Sequence, residues 1–377
     1  MKNIWTICTR ELKSYLGSPW SYLVSAAFLL VSGYGFGWSQ ETYMRTTIQE
    51  FLVWGGFFLL FWAPAVTMRL LSEEEKLGTL ETLETLHLWT QIVGKIQLTQ
   101  TPWINHSWHA TLYVTPRGLT TSMIPDGDGG IEVSFDFVDQ VLRGMCGNGR
   151  SLELDLRPMT VAAFHEQFTG MITELGGDAT FHGRPNELPD PVPFVEDTAS
   201  RPYDADAVYR FHKALVAVNK VLQDFRTGFR GKVSPVHLFW GSFDLAVTRF
   251  SGRRAPLHPG GIPHLPDDVT QEAYSHEVSS AGFWPGGGPI DDAAFYAYAY
   301  PQPEGFADAA VLPEAASYNA EYGEFVLPYE AVRTSPDPEA TLMAFLDSTF
   351  EAAARLGDWD RSLECMRGLK GKPHAID

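Results

Sequence analysis

The chain has 377 residues and carries 28 basic against 46 acidic side chains, a formal net charge of −18. A chain of this length can bury a large core, so folding requires no disulfide or metal staple. The acidic balance argues against a nucleic-acid groove binder, which needs a basic stripe to neutralise phosphates. Three well-separated cysteines fit neither a disulfide framework nor a paired-cysteine zinc site, and they favour a reducing cytosolic setting.

The charge is distributed unevenly, with a net −2 on residues 1–86 and a net −16 on residues 87–377. The first part contains two uncharged runs, of nineteen residues at 20–38 and of eighteen at 51–68. At about 1.5 Å per residue, the longer run covers about 28 Å, close to the thickness of a bilayer core. The sequence therefore predicts a two-helix transmembrane hairpin. A buried hairpin of a soluble domain and a signal peptide followed by a core helix are the alternatives.

The basic residues near these runs predict an orientation in the inner (plasma) membrane. Lys2, Arg10 and Lys13 precede the first run, and Arg69 and Lys76 follow the second. The positive-inside rule places both termini in the cytoplasm, with membrane lipid as an expected partner. Residues 1–19 place apolar side chains at helical spacing, which predicts a short amphipathic helix on the inner membrane surface.

Residues 72–86 begin with Ser and three Glu and then alternate acidic residues with Leu, which predicts a cytoplasmic helix. The strings MKNIWTICTRELKSYLGSPWSYLV, SGYGF and FFLLFWAPAVTMRLLSEEEKLGTLETL resemble the beginning of ABC transporter permeases of the type-2 exporter class. The resemblance implies that residues 68–83 face a separate ABC ATPase subunit. The implied docking residues are Glu73, Glu74, Glu75, Leu77 and Leu80. A solvated helix that only connects two parts is the alternative. The resemblance covers about residues 1–86, so the chain is not a complete transporter.

Residues 87–377 predict a cytoplasmic α+β domain with an antiparallel sheet and helices. Alternating apolar runs between Pro and Gly turn signals predict strands at 108–115, 119–124, 131–137, 151–156, 236–250, 294–300 and 324–328. Helical spacing of apolar residues predicts helices at 160–175, 204–229 and 338–356. Because strands are followed by a helix twice, an internal duplication is an open alternative.

The usual catalytic motifs do not identify a reaction. His165-Glu166 and His276-Glu277 begin like a zincin motif, but neither has a histidine at the fifth position. The chain also lacks a nucleophile elbow, a dinucleotide fingerprint and a phosphate-binding loop of its own. Catalytic residues and cofactors therefore stay unknown, no metal site is predicted, and whether the chain is an enzyme is left open.

The candidate ligand site lies in the region from Ser234 to Pro301. Its irregular part, residues 251–291, contains 13 Gly or Pro together with aromatic anchors, which favours an ordered loop that carries function. Arg253 and Arg254, followed by a glycine pair, suit an anionic ligand, although two solvated arginines in a turn are the alternative. The candidate ligand-binding residues are His237, Trp240, Asp244, Arg249, Arg253, Arg254, His276, Glu277 and Trp284.

A second resemblance covers His87 to about Trp359. The strings TLHLWTQIVGKI, LYVTPRGLTTS, GKVSPVHLFWGSFDLAVTRFSGRRAP, EAYSHEVSSAGFWPGG and FYAYAYP resemble a bacterial family that is known only as a domain of unknown function. The resemblance implies a shared fold and no particular activity. Three interpretations follow. The main one is a membrane-anchored protein with a truncated permease-like start. The others are an enzyme or small-molecule or anion binder that acts through the 234–301 region, and a chimera of two unrelated proteins joined within Leu80 to Leu86.

Overall fold

The computed structural model describes residues 26, 28–31, 33, 34, 37, 38, 78–127, 129–287, 290 and 292–365. The chain divides into two compact units, residues 1–77 and residues 78–377. The described residues of the first unit are helical. The predicted amphipathic helix, the predicted span at 51–68 and the predicted docking residues Glu73, Glu74, Glu75 and Leu77 lie outside the described residues.

The membrane prediction needs correction. Within the described part of the chain, no helix combines the length and the apolar character that a membrane span requires. This finding overturns the predicted transmembrane hairpin, the inner-membrane location and the membrane-anchored function. The prediction rested on the absence of charge, which is a weak criterion by itself. The second half of the run at 20–38 contains Ser32, Gly33, Gly35 and Gly37, residues that lower both hydropathy and helix propensity.

The second unit begins with helix α1, which spans residues 78–100. Leu86, Trp89, Ile92 and Ile96 recur at helical spacing on this helix and are fully buried in the core. The helix continues without a break through Leu86, the end of the predicted first domain. Leu80, the described member of the predicted docking residues, is half-buried in the first turns of α1.

A five-stranded antiparallel sheet follows, with its strands in chain order. Its strands are β1 (Tyr113–Val114), β2 (Gly118–Ile124), β3 (Ile131–Asp136), β4 (Val141–Cys146) and β5 (Ser151–Asp155). A 3-10 helix (Asn105–Ala110) precedes β1 and replaces the first half of the strand predicted at 108–115. Helix α2 (Val161–Glu174) closes this half, and the Thr160 side chain caps it by accepting a hydrogen bond from the Ala163 amide.

The second sheet has six antiparallel strands in the order β10-β11-β9-β8-β7-β6. Its strands are β6 (His237–Phe239), β7 (Asp244–Arg254), β8 (His276–Trp284), β9 (Ala294–Tyr300), β10 (Ser317–Asn319) and β11 (Glu324–Pro328). The helices of this half are α3 (Ala205–Thr227), α4 (Asp267–Ala273), α5 (Tyr329–Arg333) and α6 (Pro338–Leu356). The chain is therefore α+β with two antiparallel sheets. The predicted strand at 236–250 is a hairpin, because the chain reverses at residues 240–243 and pairs Phe239 with Asp244.

Two features position the second sheet. An antiparallel bridge joins it to the first sheet, where Leu112 and Leu238 exchange backbone hydrogen bonds of 2.9 and 2.7 Å. Helices α3 and α6 contact each other and cover one face of the sheet. Residues on β7 alternate between the two faces, so Leu245, Val247 and Arg249 point toward these helices. The other face of the sheet is left to form the floor of a cavity.

Candidate functional site

A cavity of about 550 Å³ lies over the face of the six-stranded sheet that α3 and α6 leave uncovered. Alternate residues of three adjacent strands form its floor, as expected from the two-residue period of a strand. The floor residues are Asp244, Ala246, Thr248 and Phe250 on β7, Val278 and Ser280 on β8, and Tyr296 and Tyr298 on β9. The walls come from α1, the 3-10 helix, the turn after β6, α4 and two loops at residues 182–187 and 262–266.

A buried aspartate marks one end of this cavity. Asp244 is 7% exposed, and its two carboxyl oxygens accept hydrogen bonds from the Ser242 and Tyr296 hydroxyls. Burial raises the pKa of Asp244 above its ordinary value, although these two hydrogen bonds oppose the effect. The approach of Tyr296 requires the glycine opposite it, because a Cβ on Gly282 would lie 2.5 Å from the Tyr296 hydroxyl.

A second carboxyl group, that of Glu187, faces the same end. Burial and the neighbouring charge of Asp244 raise the pKa of Glu187 from 4.5 to about 7. Gly241 makes room for this side chain, because a Cβ at that position would lie 1.9 Å from Glu187 Oε1. Burial and the charge of Asp244 also raise the pKa of Glu324, which lies on β11, to about 7. Three carboxyl groups therefore share one poorly solvated region.

Lys95 and Asn186 form part of the cavity wall near Asp244 and Glu187. Lys95 Nζ donates to Asn186 Oδ1, and burial lowers the pKa of Lys95 to about 8. Gln91 fixes the asparagine backbone, accepting from the Asn186 amide at 2.7 Å and donating to its carbonyl at 3.0 Å. Asn186 Nδ2 in turn donates to the His264 carbonyl at 2.6 Å. This contact ties the 182–187 loop to the 262–266 loop.

Aromatic side chains line much of the remaining surface. Trp240 lies against α1 because Gly94 has no side chain, and a Cβ there would lie 2.3 Å from the indole ring. Its Nε1 donates to the Ala110 carbonyl. Burial raises the pKa of the floor residue Tyr298 and of Tyr274, which follows α4 in the wall, and the hydroxyls of these two tyrosines lie 2.8 Å apart. Trp103, Trp108, Phe239 and Phe250 complete the aromatic lining.

The structure distributes the nine predicted ligand-binding residues over several places. Trp240 and Asp244 line the cavity. His237 is buried on β6 next to the Thr111 hydroxyl, at 3.2 Å, and burial with the nearby Arg226 lowers its pKa to about 3. Arg249 lies on the opposite face of the sheet, with its guanidinium 3.6 Å from the Phe225 ring centroid. Ligand binding by these residues stays a prediction.

The remaining predicted residues lie outside the cavity lining. Arg253 forms an ion pair of 2.7 Å with Glu277 and donates to the Asp358 carbonyl at 2.7 Å, so this pair holds surface segments together. Arg254 pairs with His276 across β7 and β8, and Trp284 ends β8. No group of three His, Cys, Asp or Glu side chains among the described residues is arranged to hold a metal ion.

Sequence reasoning did not identify Glu187, Lys95, Asn186, Tyr296 or Tyr298 as site residues. The tyrosines had a usable signal, because the alternating string FYAYAY places them on one face of a strand. Glu187 had none, since it lies in a proline-rich acidic connector among residues that resemble a solvated loop. Its burial depends on loop contacts that only the folded chain provides.

The sequence pattern of a family of unknown function, DUF5996, matches residues 76–365, more than half of the chain. The chain belongs to this family. All cavity-lining residues of this DUF5996 chain lie inside the matched range. The match confirms the resemblance of the second segment to a domain of unknown function and begins earlier than predicted, so it includes Leu80 to Leu86. No curated protein and no solved structure matches the chain. None of the comparisons supports the predicted permease resemblance of residues 1–86, which is corrected accordingly.

Proposed function

We propose that this DUF5996 chain binds a small organic cation, with the positive charge of the ligand placed beside Asp244 and Glu187. The observation that carries the proposal is a pair of cavity-facing carboxyl groups without a basic partner. Within the described part of the chain, Glu187 makes no hydrogen bond or ion pair, and Asp244 accepts from two hydroxyls and its own backbone amide, none of them charged. A buried carboxylate is costly unless an opposite charge or sufficient donors accompany it.

A bound ammonium group supplies the missing charge. Lys95, the basic side chain in the cavity wall, donates to Asn186 and does not pair with either carboxyl group. An ammonium ion next to Asp244 and Glu187 lowers the pKa of both groups and stabilises their ionised forms. Charge-assisted hydrogen bonds of this kind are about twice as strong as those between neutral groups.

The size and lining of the cavity favour an organic cation over an inorganic one. Its volume of about 550 Å³ lies within the roughly 300–1,000 Å³ of small-molecule sites. The aromatic surfaces of Trp240, Trp108 and Phe250 suit the apolar body of such a ligand. A hard metal ion instead requires six or more oxygen ligands, and no group of three His, Cys, Asp or Glu side chains in the described part of the chain is arranged to hold one.

The raised pKa of Glu187 links binding to pH. Near neutral pH about half of the Glu187 carboxyl groups carry a proton, because the pKa is about 7. A cationic ligand favours the ionised form, so binding releases protons from this group. We therefore expect the affinity for an ammonium ligand to rise as the pH increases through 7, as long as the ligand itself keeps its proton.

Calorimetric titration of the full chain with phenethylamine and with 2-phenylethanol tests the proposal, because the two molecules differ chiefly in charge. We expect the amine to bind at least about tenfold more tightly at pH 8, since one charge-assisted contact is worth about 1.5–3 kcal/mol. Glu187→Gln removes this preference, whereas Glu166→Gln, the same change at an exposed position on α2, retains it. Equal binding of the two compounds, or no binding by any primary or quaternary ammonium probe, overturns the proposal.

A further inference from the structure

One face of helix α1 carries three polar residues in place of apolar ones. His87, Gln91 and Lys95 recur at intervals of four residues, so their side chains lie on the same face of the helix. Gln91 is 0% exposed and Lys95 is 3% exposed. Polar side chains at such buried positions are nearly always hydrogen-bonded, and these three bond two segments that lie far away in the chain.

The first of these segments is the loop at residues 182–187. Residues 184–190 form no backbone–backbone hydrogen bond with any described residue, so side chains hold this part of the loop. Gln91 uses both ends of its amide for this purpose, because Oε1 accepts from the Asn186 amide and Nε2 donates to the Asn186 carbonyl. Two bonds to one residue fix both the position and the orientation of the Asn186 backbone. Lys95 and the His264 carbonyl bond the Asn186 side chain, which can rotate about its own bonds.

The next residue along this loop is Glu187. It follows Asn186 directly and has a φ of 60°, in the left-handed region that non-glycine residues rarely adopt. Such a conformation persists only where the surrounding structure holds it, and the two Gln91 bonds hold the adjacent residue. Glu187 Oε1 then lies against Gly241, where a Cβ would be 1.9 Å away. The placement of this carboxyl group therefore depends on how Asn186 is held.

The second segment is the turn at residues 240–243, on the other side of this contact. His87 Nε2 donates to the Gly241 carbonyl at 2.9 Å, since a carbonyl oxygen can only accept. The His87 ring also stacks on Phe243, with the ring centroids 4.9 Å apart and the planes at 19°. Burial lowers the pKa of His87 to about 4, so the ring is neutral near pH 7. The same helix face therefore holds both Gly241 and the loop that carries Glu187.

We propose that Gln91 is a positioning residue of the cation site, which holds Glu187 beside Gly241 and Asp244 through the Asn186 backbone. Within the described part of the chain, Gln91 is not one of the residues that line the cavity, so its effect reaches the ligand through Glu187. The effect on binding rests on the proposed function. The placement of Glu187 is measurable without any ligand.

The first measurement compares phenethylamine with 2-phenylethanol by calorimetric titration of the full chain at pH 8. Gln91→Met keeps the length of the side chain and removes both bonds to Asn186. We expect the preference for the amine, at least about tenfold in the unmodified protein, to fall to about twofold or less. Gln97→Met is the matched control, because Gln97 is 4% exposed on the same helix and its amide donates to the Thr111 and Thr121 carbonyls. We expect this control to lower the melting temperature and to retain the preference.

The second measurement needs no ligand and follows the burial of Glu187 through the stability of the protein. In the unmodified background we expect Glu187→Gln to raise the melting temperature at pH 8 by several degrees, because burial disfavours the ionised carboxylate. In the Gln91→Met background the released carboxylate reaches water, so we expect the same substitution to change the melting temperature by less than about one degree. Asp244 and Tyr274, whose charges interact with that of Glu187, are unchanged in both backgrounds.

The outcomes separate the two proposals. A stability gain from Glu187→Gln that persists in Gln91→Met overturns the positioning role, and so does an amine preference that Gln91→Met retains or that Gln97→Met loses equally. Equal binding of the amine and the alcohol by the unmodified protein overturns the proposed function, and the ligand-free comparison then still decides the role of Gln91. If Gln91→Met does not fold, Gln91→Asn, which shortens the side chain by one methylene group, takes its place with the same expected results.

Discussion

Replacing Glu187 by Gln is expected to stabilise the unliganded protein at alkaline pH while weakening its binding of ammonium ligands. The carboxyl group has a pKa of 4.5 in the unfolded chain and about 7 in the folded chain. The folded protein therefore holds this proton more tightly, and stability falls as the pH rises through that window. Below pH 4.5 the group is protonated in both states and imposes no penalty.

The expected gain follows from the same two values. The difference between them corresponds to about 3 kcal/mol at most, since one pKa unit is about 1.4 kcal/mol. Glu187 is half-buried, so screening by solvent reduces the figure to about 1–3 kcal/mol. Glutamine has a similar shape and no charge, and it removes the penalty above pH 7. A stability gain that coincides with lost binding is typical of residues retained for function.

Thermal unfolding of the full chain at pH values between about 4 and 8 measures this effect. We expect the melting temperature of Glu187→Gln to equal that of the unmodified protein at the acidic limit and to exceed it by several degrees at the alkaline limit. Glu166→Gln is the control and follows the unmodified protein throughout. If the melting temperatures of Glu187→Gln and of the unmodified protein changed with pH in the same way, the reasoning would be refuted, because burial of the charge would then carry no cost.

Three further predictions concern specific positions. Gly241→Ala places a Cβ 1.9 Å from Glu187 Oε1, so the Glu187 side chain has to move. We expect at least about tenfold weaker phenethylamine binding in calorimetry. The melting temperature should change little, because a side chain moves more easily than backbone. In Gly118→Ala the added Cβ lies 1.9 Å from the Phe135 carbonyl oxygen. We expect urea unfolding to show that the free energy of unfolding falls by about 3 kcal/mol or more. A fall below about 1 kcal/mol would contradict the register of β2 and β3. His237 has a pKa of about 3 in the folded chain and 6.5 when unfolded, so stability decreases as the pH falls from 6.5 toward 3. His237→Gln should flatten that decrease in urea unfolding, and an unchanged slope would show that His237 is not buried in its neutral form.

Local signals explain which elements could be predicted from the sequence. Helix α6 begins at Pro338 after the Asp337 cap and follows a regular apolar stripe, and its predicted bounds are confirmed. Strand β9 is confirmed for a similar reason, because its alternating aromatic residues have the two-residue period of a strand. Strand β8 was missed, since its small residues are buried on both faces and show no alternation.

The site was less predictable than the fold, for a physical reason. Asp244 and Trp240 were identified because they lie in a short segment rich in polar and aromatic residues. Glu187 and Asp190 look alike in the sequence, and only the folded loops make Glu187 half-buried while Asp190 stays exposed. The membrane prediction was wrong because an uncharged run specifies low polarity and does not by itself specify a spanning helix.

The bridge between Leu112 and Leu238 has a consequence for the order of folding. It closes a loop of more than a hundred residues, whereas the hairpins on either side of it join neighbouring strands. Contacts between distant parts of a chain form slowly, so we expect the two sheets to assemble first and the bridge afterwards. Lys95 and Ser107 come from before the bridge, while Asp244 and Thr270 come from beyond it. The cavity is therefore complete only once the two sheets are joined, and binding of a ligand that spans it reports on that joining.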